Sequence, residues 1–445
     1  MIKVITYGTY DLLHEGHIKL LERAKALGDY LIVGVTADGF DKARGKINVQ
    51  QSLIERIEAV KKTGLADKII IEEYEGQKID DIRRYGANIF TVGSDWKGKF
   101  DYLNEFCKVI YLDRTKGVSS TQIRSDKKPL RIGIIGESRV ANKFFNESKY
   151  VNGVTISGIC AEDYSEITDE LINISCDSID HLLDNSDAVY IASLPQHHYE
   201  QAKLALEKGL HVLCESPIAL NVTHFDELAK LAHDKKLILM DGVKTAYSLA
   251  FSRLILLVKS GIIGEVLSVD TTCTSLIDID KEGSISSPYT WNSLCWWGPN
   301  AILPILDIFG SEYRSAILSS KVLSSDSSFD LFTQGFLIFN NGVATFKVGQ
   351  GVKSEGEMVI SGTKGYIYVP APWWKTDYFE IRYENQSDNK RHFYQLEGEG
   401  IRNEIRTFQR LINGEEGLEQ INESVSRSMI SIIEKFYNGD YLRLR

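Results

Sequence analysis

The sequence predicts an α/β protein built from more than one domain, and three observations carry that expectation. The chain has 445 residues, roughly two to four times the size of a usual single domain, so several hydrophobic cores are expected. A strand, turn and helix pattern starts twice, at Lys3 to Leu27 and again at Leu130 to Phe145. After about residue 264 the texture changes to longer runs rich in Thr, Val, Phe and Tyr, which predict an antiparallel sheet packed on helices.

In the first segment KVITYG, YLIVGVT, KIIIEEY, NIFTVGSDW and KVIYLD read as short buried strands separated by helical patterns such as HIKLLERAKALG. That alternation predicts a parallel sheet. The stretch from Arg124 to Pro129 lacks apolar residues and ends in proline, which suits an exposed linker, so a first domain is placed at 1–128. The alternation resumes through RIGIIG, VTISGIC, AVYIAS, HVLCES and LILMDG, predicting a doubly wound second domain over 129–250. The sheet domain is placed at 251–445, closing on a helical tail from about Ile401 to Tyr437.

Hydrophobic content of 43%, charged content of 25% and 10% aromatics exclude wholesale disorder and collagen-like repeats. The start, MIKVITYGTYD, reaches a strand and turn at once and no long apolar run follows. A cytoplasmic protein without membrane insertion is expected. Cys107, Cys160, Cys176, Cys214, Cys273 and Cys295 form no C-x-x-C pair and read as buried thiols rather than metal or redox ligands. The net charge of −10 argues against nucleic-acid binding, but it is unevenly spread. The first 128 residues carry 22 Lys+Arg against 19 Asp+Glu, the remainder 29 against 42. Anionic substrates therefore suit the first segment better.

His14 and His17 stand three residues apart where a strand runs into an amphipathic helix. Two imidazoles so placed share one face, where backbone N–H groups and the helix dipole also favour phosphate oxygens. Two nearby histidines can equally be ordinary polar residues of a loop. Three further stretches fit phosphate chemistry: Lys42 to Lys46, Gly93-Ser-Asp95 to Lys99, and Arg114-Thr-Lys-Gly117 to Thr121. Glycines there allow close backbone approach, hydroxyls donate to phosphate oxygens, and arginine can form a bidentate fork.

Together, ITYGTYDLLHEGHIKLLERAKALGDYLIVGV, GSDWKGKFDYL and RTKGVSSTQI resemble the HxGH nucleotidyltransferases, specifically the glycerol-3-phosphate cytidylyltransferases, over residues 1 to 125. The resemblance implies that His14 and His17 contact nucleotide phosphates and that Lys46 and Arg114 neutralise a triphosphate. It implies that Ser119, Ser120 and Thr121 open a helix beside it, and that Gly8, Thr9, Tyr10, Asp11, Gly93 and Asp95 belong to the nucleotide site. The implied reaction joins CTP, carried with Mg²⁺, to glycerol 3-phosphate or another polyol phosphate and releases pyrophosphate. CDP-alcohols of this kind supply teichoic acids and capsules. Lys116 and Arg44 depart from the pattern, and Arg56 is either a further phosphate ligand or a solvated helix residue.

Residues 130 to about 440 resemble the Gfo/Idh/MocA oxidoreductases, through LRIGIIGESRVA, DAVYIASLPQHHYEQAKLALEKGLHVLCESPIAL, LMDGVKTAY and LVKSGIIGEVLSV. That resemblance implies an NAD(P)-binding domain followed by a sheet domain for substrate binding or subunit contact, and both resemblances imply at least a dimer. Gly133, Gly136, Ser138 and Ala141 form the dinucleotide turn, with serine at its second glycine. Glu162 or Asp163 stands near the ribose-binding acid, which aligns with Ala161. The family's E-K-P lysine is replaced in Glu215-Ser216-Pro217, and Asn300 aligns with its histidine. His198 matches a frequent family histidine, whereas His197 reads as incidental. Lys244 is the one candidate substitute acid or phosphate contact. The Trp373-Trp374 segment reads as a subunit interface or a sugar platform. The reading is a second half without conventional hydride chemistry; the alternative is a bifunctional enzyme that reduces a keto-sugar phosphate to the polyol phosphate. No metal site is expected in the protein itself.

Overall fold

The structure is a computed structural model that describes residues 1–37, 51–73, 76–113, 129–137, 139–278, 291–323, 328–394, 396, 398–415 and 420–445, the Asp95 side chain excepted. Lys46, Arg114, Ser119, Ser120, Thr121 and Ser138 lie outside the described residues, as do Lys42, Arg44, Lys116 and Gly117. The chain divides into two compact units, one carried by Met1–Pro129 and Tyr150–Gly153 and the other by Leu130–Lys149 and Val154–Arg445.

In the first unit β1 (Lys3–Gly8), β2 (Tyr30–Thr36), β3 (Lys68–Glu72), β4 (Ile89–Gly93) and β5 (Lys108–Leu112) form a parallel sheet of order β3-β2-β1-β4-β5. Alternate residues of β1 serve opposite faces, as a doubly covered sheet requires. Val4 packs with Leu21, Leu31, Val33 and Val60. Ile5 and Tyr7 pack with Ile32, Ile82, Phe90 and Leu103. Helices α1 (Glu15–Lys25), α2 (Leu53–Lys62) and α3 (Gln77–Tyr85) supply those partners. Helix α2 begins with a full capping box, Ser52 bonding the Glu55 N–H and Glu55 returning to Ser52.

The second unit opens on β6 (Leu130–Ile135), β7 (Val154–Cys160), β8 (Ala188–Ile191), β9 (His211–Glu215) and β10 (Leu239–Gly242), all parallel, in the order β10-β9-β8-β6-β7. Helices α4 (Arg139–Ser148), α5 (Asp169–Ile172), α6 (Ile179–Asp184), α7 (Pro195–Glu207) and α8 (Val222–Lys235) connect them. Helix α9 (Leu249–Lys259) then leads into a nine-stranded sheet containing β11 (Val266–Thr274), β12 (Ser315–Val322), β13 (Asp330–Ile338), β14 (Val343–Gly349), β15 (Met358–Gly362), β16 (Tyr366–Val369), β17 (Tyr378–Arg382), β18 (Lys390–Phe393) and β19 (Leu442–Arg443). This sheet is mixed, not purely antiparallel. β11 pairs in parallel with β14 because the chain leaves β11, crosses through α10 (Ser293–Phe309) and the β12–β13 hairpin, and returns beside it.

Burial alternates along β12 and β13, so one face of this sheet packs on helix while Ile317 and Phe336 stand on the open face. The expected helical tail is two helices, α11 (Ile401–Ile412) and α12 (Glu423–Tyr437). Among the described residues no helix is long and apolar enough to cross a membrane. Cys214, Cys273 and Cys295 are buried thiols as expected; Cys107, Cys160 and Cys176 are only half-buried.

Candidate functional site

The first sheet reverses its strand order between β1 and β4, and the segments leaving those two strands carry the site residues. His14 is the N-cap of α1: its Nδ1 accepts the Gly16 N–H at 3.1 Å. In the neutral ring the proton therefore sits on Nε2, leaving that nitrogen as the donor. The His14 and His17 rings stack with centroids 4.0 Å apart, so the pair presents one face at the positive end of the helix. The loop before it is held in an uncommon shape, with Tyr10 at φ 53 and Leu12 at φ 48. Tyr10 does not line an open pocket with its ring, which is 2% exposed and packed edge-on to His17, centroids 5.6 Å apart. It supports His17 from the core.

Arg56 is neither a phosphate ligand nor a solvated residue. It is fully buried and donates to three backbone carbonyls, Gln51 O at 3.1 Å, Thr9 O at 2.7 Å and Thr36 O at 2.8 Å. Asp11 acts beside it: its Oδ1 accepts the Gln51 N–H at 2.8 Å, while Gln51 Oε1 accepts the Leu12 N–H at 2.8 Å. The loop from Thr9 to Leu12 is thus clasped to the start of α2. Gln51 was not singled out by its type; the capping box that follows it is the signal that a helix starts there. Below the clasp Glu72 pairs with Lys78 and accepts from Thr36 Oγ1 at 2.8 Å, and Tyr7 donates to Asp81 at 2.9 Å. Gly93 ends β4, next to the one-turn helix Ser94–Trp96 that places Trp96 against Phe100.

The second sheet reverses between β6 and β8. Gly136 sits there at φ 126, and a Cβ would stand 2.3 Å from Ser193 N. Ala141 is fully buried, the close helix–strand contact that a dinucleotide turn needs. Gly133 instead faces Ser186 and Leu182, inside the core. Burial raises Glu137, and the charges of Glu162 and Asp163 raise it further. Those two acids therefore lie near the turn, Asp163 accepting from the Ser165 N–H and Oγ, both at 2.8 Å. These residues fit a dinucleotide. Ser216 is buried, its hydroxyl beside the Asp241 carboxyl. Asn300 accepts from Thr245 Oγ1 at 2.7 Å. His198 is fully buried between Pro217 O and Ser193 O, 2.8 and 2.9 Å from its ring nitrogens, and burial lowers it to about 4.

Three carboxyl groups lie near Lys244, Asp241 and Glu404 buried and Glu215 half-buried. Glu215, in contact with the Tyr190 hydroxyl, is pushed by burial up to about 7, and Asp241 to about 6. Glu404 on α11 is raised further by burial and the Glu215 charge, and neither of its oxygens has a hydrogen-bond partner. Lys244 itself is bound to Glu399. Trp373 and Trp374 are buried within the unit, Trp373 donating to Thr272 O at 3.2 Å and Trp374 lying 4.7 Å from Trp297 between centroids, so neither ring is a free interface. Among the described residues no cluster of three or more His, Cys, Asp or Glu is arranged to hold a metal ion.

A parallel sheet with a histidine pair at its switch point defines a nucleotidyltransferase, and the comparisons agree. A family model described as Cytidylyltransferase-like matches residues 5–126, and the chain belongs to that family. It is 51% identical over 130 residues to a glycerol-3-phosphate cytidylyltransferase of Bacillus spizizenii, spanning 29% of this chain and 100% of that protein. It is 44% identical over 131 residues to the enzyme of the same description from Staphylococcus aureus, spanning 28% and 95%. A second model, Oxidoreductase family, NAD-binding Rossmann fold, matches residues 130–243. The structure of KijD10, a 3-ketoreductase from Actinomadura kijaniata in complex with NADP and TDP-benzene, superposes with a TM-score of 0.60 at 17% identity, covering 71% of this chain and 100% of that one. The second unit thus has the Gfo/Idh/MocA fold.

Two outcomes are expected. Arg56→Met leaves three backbone carbonyls without their donor and lowers the stability of the first unit by about 2–4 kcal/mol, read as a shifted midpoint in urea unfolding. Asp241, raised in the folded state from 3.8 to about 6, contributes stability that is present below about pH 4 and lost as pH rises through 6. Its full effect is on the order of 3 kcal/mol. Asp241→Asn therefore stabilises the second unit at pH 7.5 and not at pH 4, as measured by thermal unfolding.

Proposed function

We propose that the first unit transfers the cytidylyl group of CTP to glycerol 3-phosphate, giving CDP-glycerol and pyrophosphate. The stacked His14–His17 pair at the helix start carries this reading, together with a likeness that spans the whole length of a protein named for that reaction. A phosphate oxygen of the acceptor attacks the α-phosphorus of CTP, the bond to the β-phosphate oxygen breaks, and pyrophosphate leaves with the electron pair. No protein nucleophile is required. His14 and His17 hold the triphosphate in line as donors, with Gly8, Thr9, Asp11, Gly93 and Asp95 around the nucleotide. Lys46, Arg114, Ser119, Ser120 and Thr121 are assigned the remaining phosphate oxygens. Mg²⁺ enters with CTP and neutralises phosphate charge.

The domains are assigned as 1–128 for this activity, 129–250 for the Rossmann-type domain and 251–445 for the mixed sheet. For the second half we propose a role without conventional hydride transfer, because Ser216 and Asn300 offer no titratable group where proton transfer would be needed. A reductase acting on a keto-sugar phosphate is the second reading, favoured by the glycine turn at Gly136, by Ala141, and by the acids Glu162 and Asp163 beside that turn. When bound, a nicotinamide cofactor supplies hydride; Gly136 and Ala141 would admit it and Glu162 or Asp163 would hold its ribose. Oxidation of NADH or NADPH by a phosphorylated ketose separates the two. The sheet domain is assigned to substrate binding or subunit contact, with at least a dimer as the assembly.

Pyrophosphate release with CTP, Mg²⁺ and a panel of polyol phosphates is the direct test, with the product identified by mass. sn-Glycerol 3-phosphate is expected to be the best acceptor. His17→Ala is expected to keep its fold by circular dichroism and to lose about 10²–10³ in turnover. Wild-type turnover in that variant would reject the assignment.

A further inference from the structure

In the second unit three lysines from separate segments converge on one carboxylate that the proposed reaction does not use. Lys143 of α4 reaches Glu399 at 3.0 and 3.2 Å, Lys375 reaches it at 2.7 Å, and Lys244, just beyond β10, also pairs with it. We propose that Lys143, Lys244 and Lys375 form a binding site for a dianionic phosphate group, and that Glu399 is an internal carboxylate holding the site until such a group displaces it.

Charge balance supports this first. Three ammonium groups share one negative charge, where a structural ion pair needs only one cation. Burial disfavours the charged forms of the nearby Glu215, Asp241 and Glu404. Lys143 carries the cost of the crowding: burial lowers it, and the Lys244 charge lowers it again. A phosphate monoester with a second ionisation near pH 6 brings about two charges and three acceptor oxygens, one for each ammonium.

The way Glu399 is delivered points the same direction. It lies in Gly398-Glu399-Gly400 at successive φ values of 56, 50 and 94. A left-handed glutamate is strained by roughly 1–2 kcal/mol. A Cβ at residue 400 would stand 2.0 Å from the Lys244 carbonyl oxygen, so the turn is shaped to press against the lysine strand end. The cluster also lies beyond β10, at the carboxyl end of the parallel sheet where ligands of such folds bind. Beside it Thr245 joins Asn300 to the Trp374 carbonyl, and the half-buried Trp297 packs on Trp374. An amide and an indole can receive the uncharged part of a phosphorylated polyol or sugar.

This inference goes beyond the cytidylyl transfer and stands on different residues. Its test uses the full chain carrying Trp96→Phe, which leaves all remaining tryptophans, Trp291, Trp296, Trp297, Trp373 and Trp374, in the second unit. Tryptophan fluorescence is titrated with inorganic phosphate, sn-glycerol 3-phosphate, NADP⁺ and glycerol. A saturable response to phosphate-bearing probes and none to glycerol is expected. Glu399→Gln should tighten it about tenfold, and Lys244→Gln or the more exposed Lys375→Gln should weaken it about tenfold. A response to sn-glycerol 3-phosphate but not NADP⁺ identifies a small phosphate monoester as the source; a response to NADP⁺ alone identifies the cofactor phosphates. No saturable response in the parent and in Glu399→Gln overturns the proposal, as does a response unchanged in folded Lys244→Gln and Lys375→Gln. Pyrophosphate release is followed on the same samples, so failure of the first-unit reaction and failure of phosphate binding are read separately.

Discussion

Parallel strands covered by helices on both faces leave a ligand little access except at their carboxyl ends, where the strand order reverses. Both units of this chain obey that constraint. In the first, β1 and β4 part company; the chain leaving β1 carries His14 and His17 into α1, and Gly93 ends β4. In the second, the loops after β6 and β8 approach until no side chain fits at Gly136. The same geometry is used twice; what differs is the chemistry placed just beyond the strands.

That difference shows in how buried charge is treated. Under the first site Arg56 is buried with three carbonyls on its guanidinium, Lys78 with Glu72, and Tyr7 with Asp81. Satisfied networks of this kind fix a loop in one shape, which suits a reaction that depends on aligning two anions. Under the second sheet Glu404 is buried without hydrogen-bond partners, and Asp241 is buried with only the Ser216 and Ser426 hydroxyls beside it. Such groups cost stability and persist where protons or charge are handled. The three lysines on Glu399 stand beside them, so the open end of the second sheet carries both the unsatisfied acids and the surplus cations.

Much of this was legible in the sequence because short apolar runs separated by amphipathic helices have few other solutions. The ten parallel strands follow KVITYG to LILMDG in order, and the His14–His17 spacing marks a helix start without any structure. What escaped was tertiary. Pro299 and Pro304 lie inside α10, so a helix reads as a broken loop. The parallel pairing of β11 with β14 depends on a crossover that periodicity does not encode. Arg56 looks like any helix-surface arginine until its three carbonyl partners, drawn from three segments, are seen. Glu399 sits in a Gly-Glu-Gly stretch whose partners are 24, 155 and 256 residues away.

The capping bond at His14 also constrains the chemistry of the first unit. Gly16 donates to Nδ1, and protonating that nitrogen would set two donors against each other and break the cap, worth about 1 kcal/mol. The positive end of α1 opposes a cation there as well. In the proposed reaction the cap occupies Nδ1 and leaves Nε2 of His14 as the atom that orients a phosphate oxygen. Neutralising the developing negative charge on the triphosphate then falls to fixed cations, which is the part assigned to Lys46, Arg114 and the metal that accompanies CTP. In the proposed reaction the histidine pair and these basic residues are thus complementary, since the first gives direction and the second gives charge.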